Sequence, residues 1–187
     1  MTDPDYPYVN YNISPLDFLD RARKQLSLFD AGNIESLFYA SLELRMGIEA
    51  RICEYLEHSL NDKKPSKQKE YHAKKLFAKL LKNNPDADQP LELLIGKKGS
   101  TSLSVFKYTP VKKELIDYYE KELGKILHYK FFVDNKNSWY IKKKLQKYGA
   151  KSLFDYRDLL EKIALELEEA NKGDLLSHPK FTLTKNK

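Results

Sequence analysis

Arg51 and His58 are the two residues of this sequence whose types and spacing could do chemistry together. They lie in the segment 33–60, whose apolar periodicity predicts one long helix. A separation of seven residues is about two helical turns, so both side chains point the same way, roughly 10 Å apart along the axis. Histidine titrates near neutral pH and can move a proton, whereas arginine stays charged and binds phosphate oxygens through a rigid fork. The pair could therefore combine acid–base catalysis with stabilisation of a phosphate group.

The same residues also have a structural interpretation. Glu54 lies between them, at spacings that produce ordinary ion pairs on a helix surface, each worth roughly 0.2–0.5 kcal/mol. Ala40, Leu44 and Gly47 share the face of Arg51, and small residues let another backbone come close. The sequence predicts that this face contacts either another helix of the chain or the same helix of a second copy, which would give a symmetric homodimer.

Most of the elements that must position this pair are predicted to be helices. Ser14-Pro15-Leu16-Asp17 is typical of a helix start, and further helices are expected over 33–60, 66–83, 109–127, 139–148 and 152–171. Gly-bounded, β-branched segments predict a β-hairpin over 91–108. The expected fold is mainly α, an antiparallel helical bundle with one inserted hairpin. Residues 1–13 are expected to form an arm, 14–173 a single domain, and 174–187 a basic tail.

A bundle whose long helix carries "LRMGIEARICEYLEH" resembles the HEPN superfamily, whose helices carry an Arg-x(4–6)-His motif that Arg51 and His58 match. The resemblance implies a metal-independent ribonuclease in which Arg51 and His58 are catalytic and two copies meet to form a composite site. Two departures stand out: the motif lies in the second helix rather than a later one, and Ile52 stands where a polar residue often follows the arginine. Some members of the superfamily are scaffolds without activity.

The segment 136–151, "KNSWYIKKKLQKYGAK", mixes lysines with aromatic residues and is the strongest nucleic-acid feature of the sequence. Lysines can contact phosphates and aromatic rings can stack on bases, and the predicted hairpin tip adds two more lysines. The alternative is that the apolar residues of this segment are core and the lysines only solvate a short helix. The candidate nucleic-acid-binding residues are Lys97, Lys98, Trp139, Tyr140, Lys142, Lys143, Lys144 and Lys147.

Composition narrows the class of protein. Hydrophobic residues make up 41% and charged residues 32% of 187 residues, which is typical of a soluble globular chain. Cys53 is the sole cysteine, so an intrachain disulfide is excluded, and no His/Asp/Glu cluster has metal-ligand spacing. The sequence predicts a cytoplasmic protein without metal, cofactor or membrane span. Arg45 is expected to pair with Glu49 or another inward-facing acid, in a structural role. A net charge of +6 favours an anionic partner, nucleic acid first.

The sequence thus predicts a HEPN-like, metal-independent endoribonuclease of a defence or toxin-like system. It would act on RNA as a homodimer and have a protein partner or antitoxin. The alternative hypothesis is a non-catalytic helical module that binds a protein or RNA partner.

Overall fold

The computed structural model describes residues 13–60, 72–96, 103–124, 147–148 and 151–174, without the side chains of 58–60, 147–148 and 151–152. Within these ranges the chain is mainly helical with a small antiparallel hairpin, which confirms the predicted fold class at that level. The helices are α1 Pro15–Asp30, α2 Ser36–Leu60, α3 Ala73–Asn83, α4 Lys113–Tyr118 and α5 Leu153–Asn171. The strands are β1 Leu91–Gly96, β2 Leu103–Tyr108, β3 Lys147–Tyr148 and β4 Lys151–Ser152.

Helix α1 begins where the sequence predicts. Ser14 and Asp17 form a capping box: the Ser14 hydroxyl accepts a hydrogen bond from the Asp17 amide (3.2 Å), and the Asp17 carboxylate accepts one from the Ser14 amide (3.1 Å). These bonds satisfy amides that a helix start otherwise leaves unpaired. The turn after α1 reverses the chain at Gly32, whose φ of 100° favours glycine.

Helix α2 is the central element, packed against α1, α3 and α5. Its buried side includes Leu37, Leu44, Ile48 and Tyr55. Partly exposed ion pairs connect α1 to its neighbours: Arg21 pairs with Glu43 of α2 at 2.9 Å, and Arg23 with Glu168 (2.7 Å) and Asp30 with Arg157 (2.9 Å) connect α1 to α5.

The hairpin joins the helices at one end of β2. Strands β1 and β2 pair antiparallel from Leu91 opposite Tyr108 to Gly96 opposite Leu103, which confirms the hairpin predicted over 91–108. The buried Tyr108 donates a hydrogen bond to the Ala87 carbonyl at 2.7 Å. The Asp174 amide, just after α5, donates to the Lys107 carbonyl at 2.8 Å. The end of α5 is therefore bonded to the hairpin.

Several predicted helix boundaries are wrong. Helix α3 begins at Ala73 with His72 as its N-cap residue, not at Ser66. Helix α4 begins at Lys113, because 109–112 are not helical and Lys112 is extended, and it continues as a π-helical turn over Tyr119–Leu123. The helix predicted over 139–148 does not extend to Tyr148, because Lys147–Tyr148 form a short strand that pairs with Lys151–Ser152.

Other predicted segments lie outside the described residues. These are most of the arm (1–12), the first part of the predicted third helix (66–71), residues 125–146 and the tail from 175 onwards.

Candidate functional site

Arg51 is an internal residue of the fold. Its side chain is only 3% exposed and lies between α2 and the end of α5. Its Nε atom donates to the Ala170 carbonyl at 2.9 Å and lies 3.0 Å from the Tyr55 hydroxyl, and Nη1 pairs with Glu54 at 2.8 Å. The guanidinium also stacks over the Tyr55 ring, with Cζ 4.5 Å from its centroid. A planar, charged group with several donors suits this position.

The Ala170 carbonyl is the point where these contacts converge. The Tyr55 hydroxyl lies 2.9 Å from it and the Thr109 hydroxyl 3.3 Å from it, in addition to Arg51. The single hydroxyl proton of Tyr55 is shared between the Ala170 and Thr109 carbonyls. Because the last carbonyls of a helix carry partial negative charge and lack partners in the helix, a buried cation and two hydroxyls stabilise the end of α5.

The electrostatics of this cluster follow from burial. Burial raises the pKa of Tyr55 to about 12, although the Arg51 charge and its hydrogen bond act in the opposite direction. Arg51 Nη2 is buried, and no hydrogen-bond acceptor among the described residues pairs with it.

His58 lies in the last turn of α2, but its side chain is outside the described part of the chain. The backbone keeps it two turns beyond Arg51, as predicted. Nothing in the described geometry brings the imidazole to the guanidinium, so the catalytic Arg51–His58 pair stays a prediction.

The small-residue face of α2 packs inside the chain. Ala40, Leu44 and Gly47 are buried, and a Cβ added at Gly47 would lie 2.8 Å from a methyl group of Leu167 and 3.2 Å from the Cβ of Phe18. Of the two alternatives left by the sequence, the first holds: another helix of the same chain makes the close approach. The dimer interface predicted through this face is wrong, because α1 and α5 already occupy it.

The candidate nucleic-acid-binding residues fall almost wholly outside the described chain. Only Lys147 is described, and only by its backbone, which pairs with Ser152. The interface therefore stays a prediction. The residues outside the description are Lys97, Lys98, Trp139, Tyr140, Lys142, Lys143 and Lys144.

Arg45 pairs with Glu49 at 3.6 Å, as predicted, but the sequence did not reveal the third member of this cluster. Tyr119 bonds the Glu49 carboxylate, accepts a hydrogen bond from Arg45 at 2.9 Å, and lies under the guanidinium with Cζ 4.6 Å from the ring centroid. Tyr119 begins the π-helical turn, and sequence periodicity does not predict such turns.

The outer face of α2 carries apolar residues that the sequence analysis also missed. Tyr39, Leu42 and Met46 are 56%, 44% and 40% exposed. Their spacing of three and then four residues is that of a coiled-coil seam, and it could have been found in the sequence. We call these three residues the outer stripe.

Acidic residues lie beyond both ends of the outer stripe on α2. Glu35 is exposed about one turn before Tyr39, Glu57 is exposed about three turns beyond Met46, and the half-buried Cys53 lies two turns beyond Met46 on the same side. Burial first, and then the carboxylates of Glu57, Glu49 and Glu54, raise the pKa of the Cys53 thiol to about 11. This side of α2 is therefore apolar at the outer stripe and acidic around Cys53, towards the end of the helix.

No helix in the part of the chain that the structure describes is both long and apolar enough to cross a membrane. The same residues contain no group of three or more His, Cys, Asp or Glu side chains arranged to hold a metal ion. Comparisons of the chain with models of protein families, with curated proteins and with solved structures find no match.

Proposed function

We propose that this chain is a non-catalytic helical module that binds a protein partner through the outer stripe of α2. The observation that carries the proposal is the exposure of Tyr39, Leu42 and Met46 in a coiled-coil spacing on the central helix of the fold. Scattered exposed apolar residues need no explanation, but a contiguous apolar seam on a soluble protein is typical of an interaction site.

The partner that fits this surface is an amphipathic helix with basic flanks. A helix laid along α2 would bury the outer stripe with its own apolar positions. Its basic residues would meet Glu35 and Glu57, which are exposed. The chain as a whole carries +6, so a basic partner is attracted by this local field and not by the protein as a whole.

The non-catalytic part of the proposal rests on Arg51. A residue that stabilises phosphate in a reaction must reach the substrate, and this guanidinium is 3% exposed with two of its nitrogens in hydrogen bonds. Exposing it would cost the end of α5 its cap. Its role in the fold accounts for an arginine at this position without catalysis.

The test uses a synthetic peptide of leucine–lysine heptads, labelled for fluorescence anisotropy. We expect it to bind the wild-type chain and to bind Leu42→Glu at least about tenfold more weakly, which is a loss of about 1.4 kcal/mol. The matched control is Leu165→Glu, because Leu165 is a similarly exposed leucine on α5. Equal binding to wild type and Leu42→Glu, or equal loss in both variants, would refute the outer stripe as the docking surface.

The second candidate is the HEPN-like, metal-independent endoribonuclease of a defence or toxin-like system. The observation in its favour is the unpartnered Nη2 of Arg51, a donor atom that the described fold does not use. Incubation with total RNA in excess chelator tests it. Cleavage that persists in chelator and disappears in His58→Ala supports the enzyme, whereas intact RNA, or equal cleavage by His58→Ala and wild type, rejects it. Arg51→Ala alone does not decide, because Arg51 also stabilises the fold.

A further inference from the structure

Strand β1 has the composition of an interior strand but lies at an edge. Its sequence is LELLIG, with apolar residues on both faces, as in strands that are covered on both sides. Leu94 is 64% exposed, and its neighbours on the same face of the hairpin, Leu103 and Val105, are 62% and 49% exposed. An isolated two-stranded hairpin is only marginally stable. A hairpin that leaves an apolar face exposed would gain stability if another strand extended the sheet.

The backbone of β1 has the hydrogen-bonding groups to pair with another strand. Lys107 directs its amide and carbonyl away from β1, because both are bonded to Asp174. In an antiparallel ladder such outward-facing pairs alternate with hydrogen-bonded pairs. By the register, Glu92, Leu94 and Gly96 therefore direct their backbone groups to the free edge of β1. Among the described residues nothing bonds to these groups.

We propose that β1 pairs antiparallel with β1 of a second copy of this chain, about a two-fold axis at Leu94. In this register Leu94 lies opposite Leu94 of the second copy and Glu92 lies opposite Gly96, so each pair exchanges both backbone hydrogen bonds. The two hairpins become one four-stranded sheet. Leu94, Leu103 and Val105 of both copies then form one continuous apolar face. This inference is independent of the proposed function, because it uses neither α2 nor a protein partner of different sequence.

The occupant is a second copy because the edge is complementary to itself. Glu92 is already paired with Lys107 of its own hairpin at 3.1 Å, so the two-fold places an uncharged glycine opposite it and brings no like charges together. Strand β1 also lacks the lysine or proline with which edge strands usually avoid pairing. The edge of β2 is less suitable, because Asp174 already occupies Lys107.

A proline at Leu94 tests the pairing without breaking the hairpin. Proline is tolerated in an edge strand where the missing amide faces outwards, and Leu94 is such a position. Val105→Pro is the matched control, because Val105 lies opposite Leu94 and faces the other edge. Sedimentation at about 100 µM, far above a micromolar dissociation constant, should give a dimer of the 21.9 kDa chain for wild type and Val105→Pro, and a monomer for Leu94→Pro.

Disulfide trapping covers the case in which the proline variants fail to fold, as judged by circular dichroism. Opposed residues of a hydrogen-bonded antiparallel pair have Cα atoms about 5.5 Å apart, within the range of a disulfide. In a Cys53→Ser background, Leu94→Cys should form a reducible dimer under mild oxidation and Val105→Cys should not. A monomeric wild type, a dimeric and folded Leu94→Pro, or equal trapping of both cysteine variants would overturn the proposal.

Discussion

The Nε atom of Arg51 donates a hydrogen bond to the main-chain carbonyl of Ala170 at 2.9 Å and so connects the middle of α2 to the last turn of α5. These residues are 119 positions apart in the chain, and both are buried. Tyr55 and Thr109 bring α2 and the end of the hairpin to the same carbonyl. One carbonyl oxygen is thus the meeting point of three parts of the fold.

Replacing Arg51 by methionine should lower the free energy of unfolding by about 2 to 3 kcal/mol. The change removes a cation that caps α5 and leaves the Glu54 carboxylate without its partner. Arg51→Lys should restore little of this stability, since an ammonium group cannot reproduce the guanidinium fork. Urea unfolding measures the effect. Lys74→Met is the control, because Lys74 is largely exposed and its loss should change stability by less than about 0.5 kcal/mol.

A stability of Arg51→Met equal to that of wild type would contradict the structural role of the guanidinium. That result would also favour the catalytic hypothesis, because Arg51 would then not be required for the stability of the fold.

Substitution of Gly47 should destabilise the monomer and leave any dimer unaffected. An added Cβ would lie 2.8 Å from a methyl group of Leu167, which must turn away, and 3.2 Å from the Cβ of Phe18, which must shift by a few tenths of an ångström. Overpacking of this kind costs about 1 to 3 kcal/mol, and Gly47→Leu should cost more than Gly47→Ala. Thermal unfolding with sedimentation separates the two effects. A change of mass without a change of midpoint would point to an intermolecular contact at Gly47 instead.

The local chemistry of the sequence predicted much of the fold. The start of α1 was predicted from an N-cap serine, a proline at the first helical position and an acid in the first turn, at Ser14, Pro15 and Asp17. The hairpin was predicted from its Gly-bounded, β-branched segments. The start of α3 and the turn at Tyr119 were not predicted. His72 and Tyr119 pack edge to face at these two places, with ring centroids 5.4 Å apart. Local sequence patterns cannot predict such a contact, because the two residues are far apart in the chain.

The interpretation of Arg51 could not be settled from spacing alone. The sequence placed it correctly on the face of Gly47, but it left open whether that face contacts another helix of the chain or a second copy. A buried arginine needs hydrogen-bond or ion-pair partners, and Ala170 and Thr109 are far from Arg51 in sequence. Their contribution is visible only once α5 and the hairpin are folded against α2.

Gly173→Ala should weaken the attachment of α5 to the hairpin. A Cβ at this position would lie 2.5 Å from the Thr109 hydroxyl, 2.8 Å from the Thr109 amide and 3.1 Å from the Lys107 carbonyl. Two of these atoms belong to the backbone, so relieving the contact requires the main chain to shift. We expect a loss of about 1 to 3 kcal/mol and faster hydrogen exchange at the Asp174 amide. The control is Lys172→Ala, which removes only an exposed pair with Glu169; a Gly173→Ala variant as stable as this control would contradict the close contact.

The fold should lose stability at alkaline pH through its buried tyrosines. Burial raises the pKa of Tyr55 and that of Tyr119 to about 12, and for Tyr119 the hydrogen bond to Glu49 adds to the effect. An unfolded tyrosine titrates near pH 10. A raised folded-state pKa means that the neutral phenol is favoured in the fold, so this contribution is complete below about pH 10 and is lost between about pH 10 and 12.

Tyr55→Phe isolates this contribution from the lysines, which titrate in the same range in both proteins. Two pKa units correspond to about 2 to 3 kcal/mol for one group, so the wild type should lose that much more stability than Tyr55→Phe between about pH 9.5 and 12. The variant should start less stable at neutral pH, because Ala170 loses a hydroxyl partner, and the two curves should converge as pH rises. Urea unfolding across this range measures the difference. Parallel curves would mean that the Tyr55 phenol ionises as readily in the folded chain as in the unfolded one, and the buried bonds from Tyr55 to Ala170 and Thr109 would then not hold in solution.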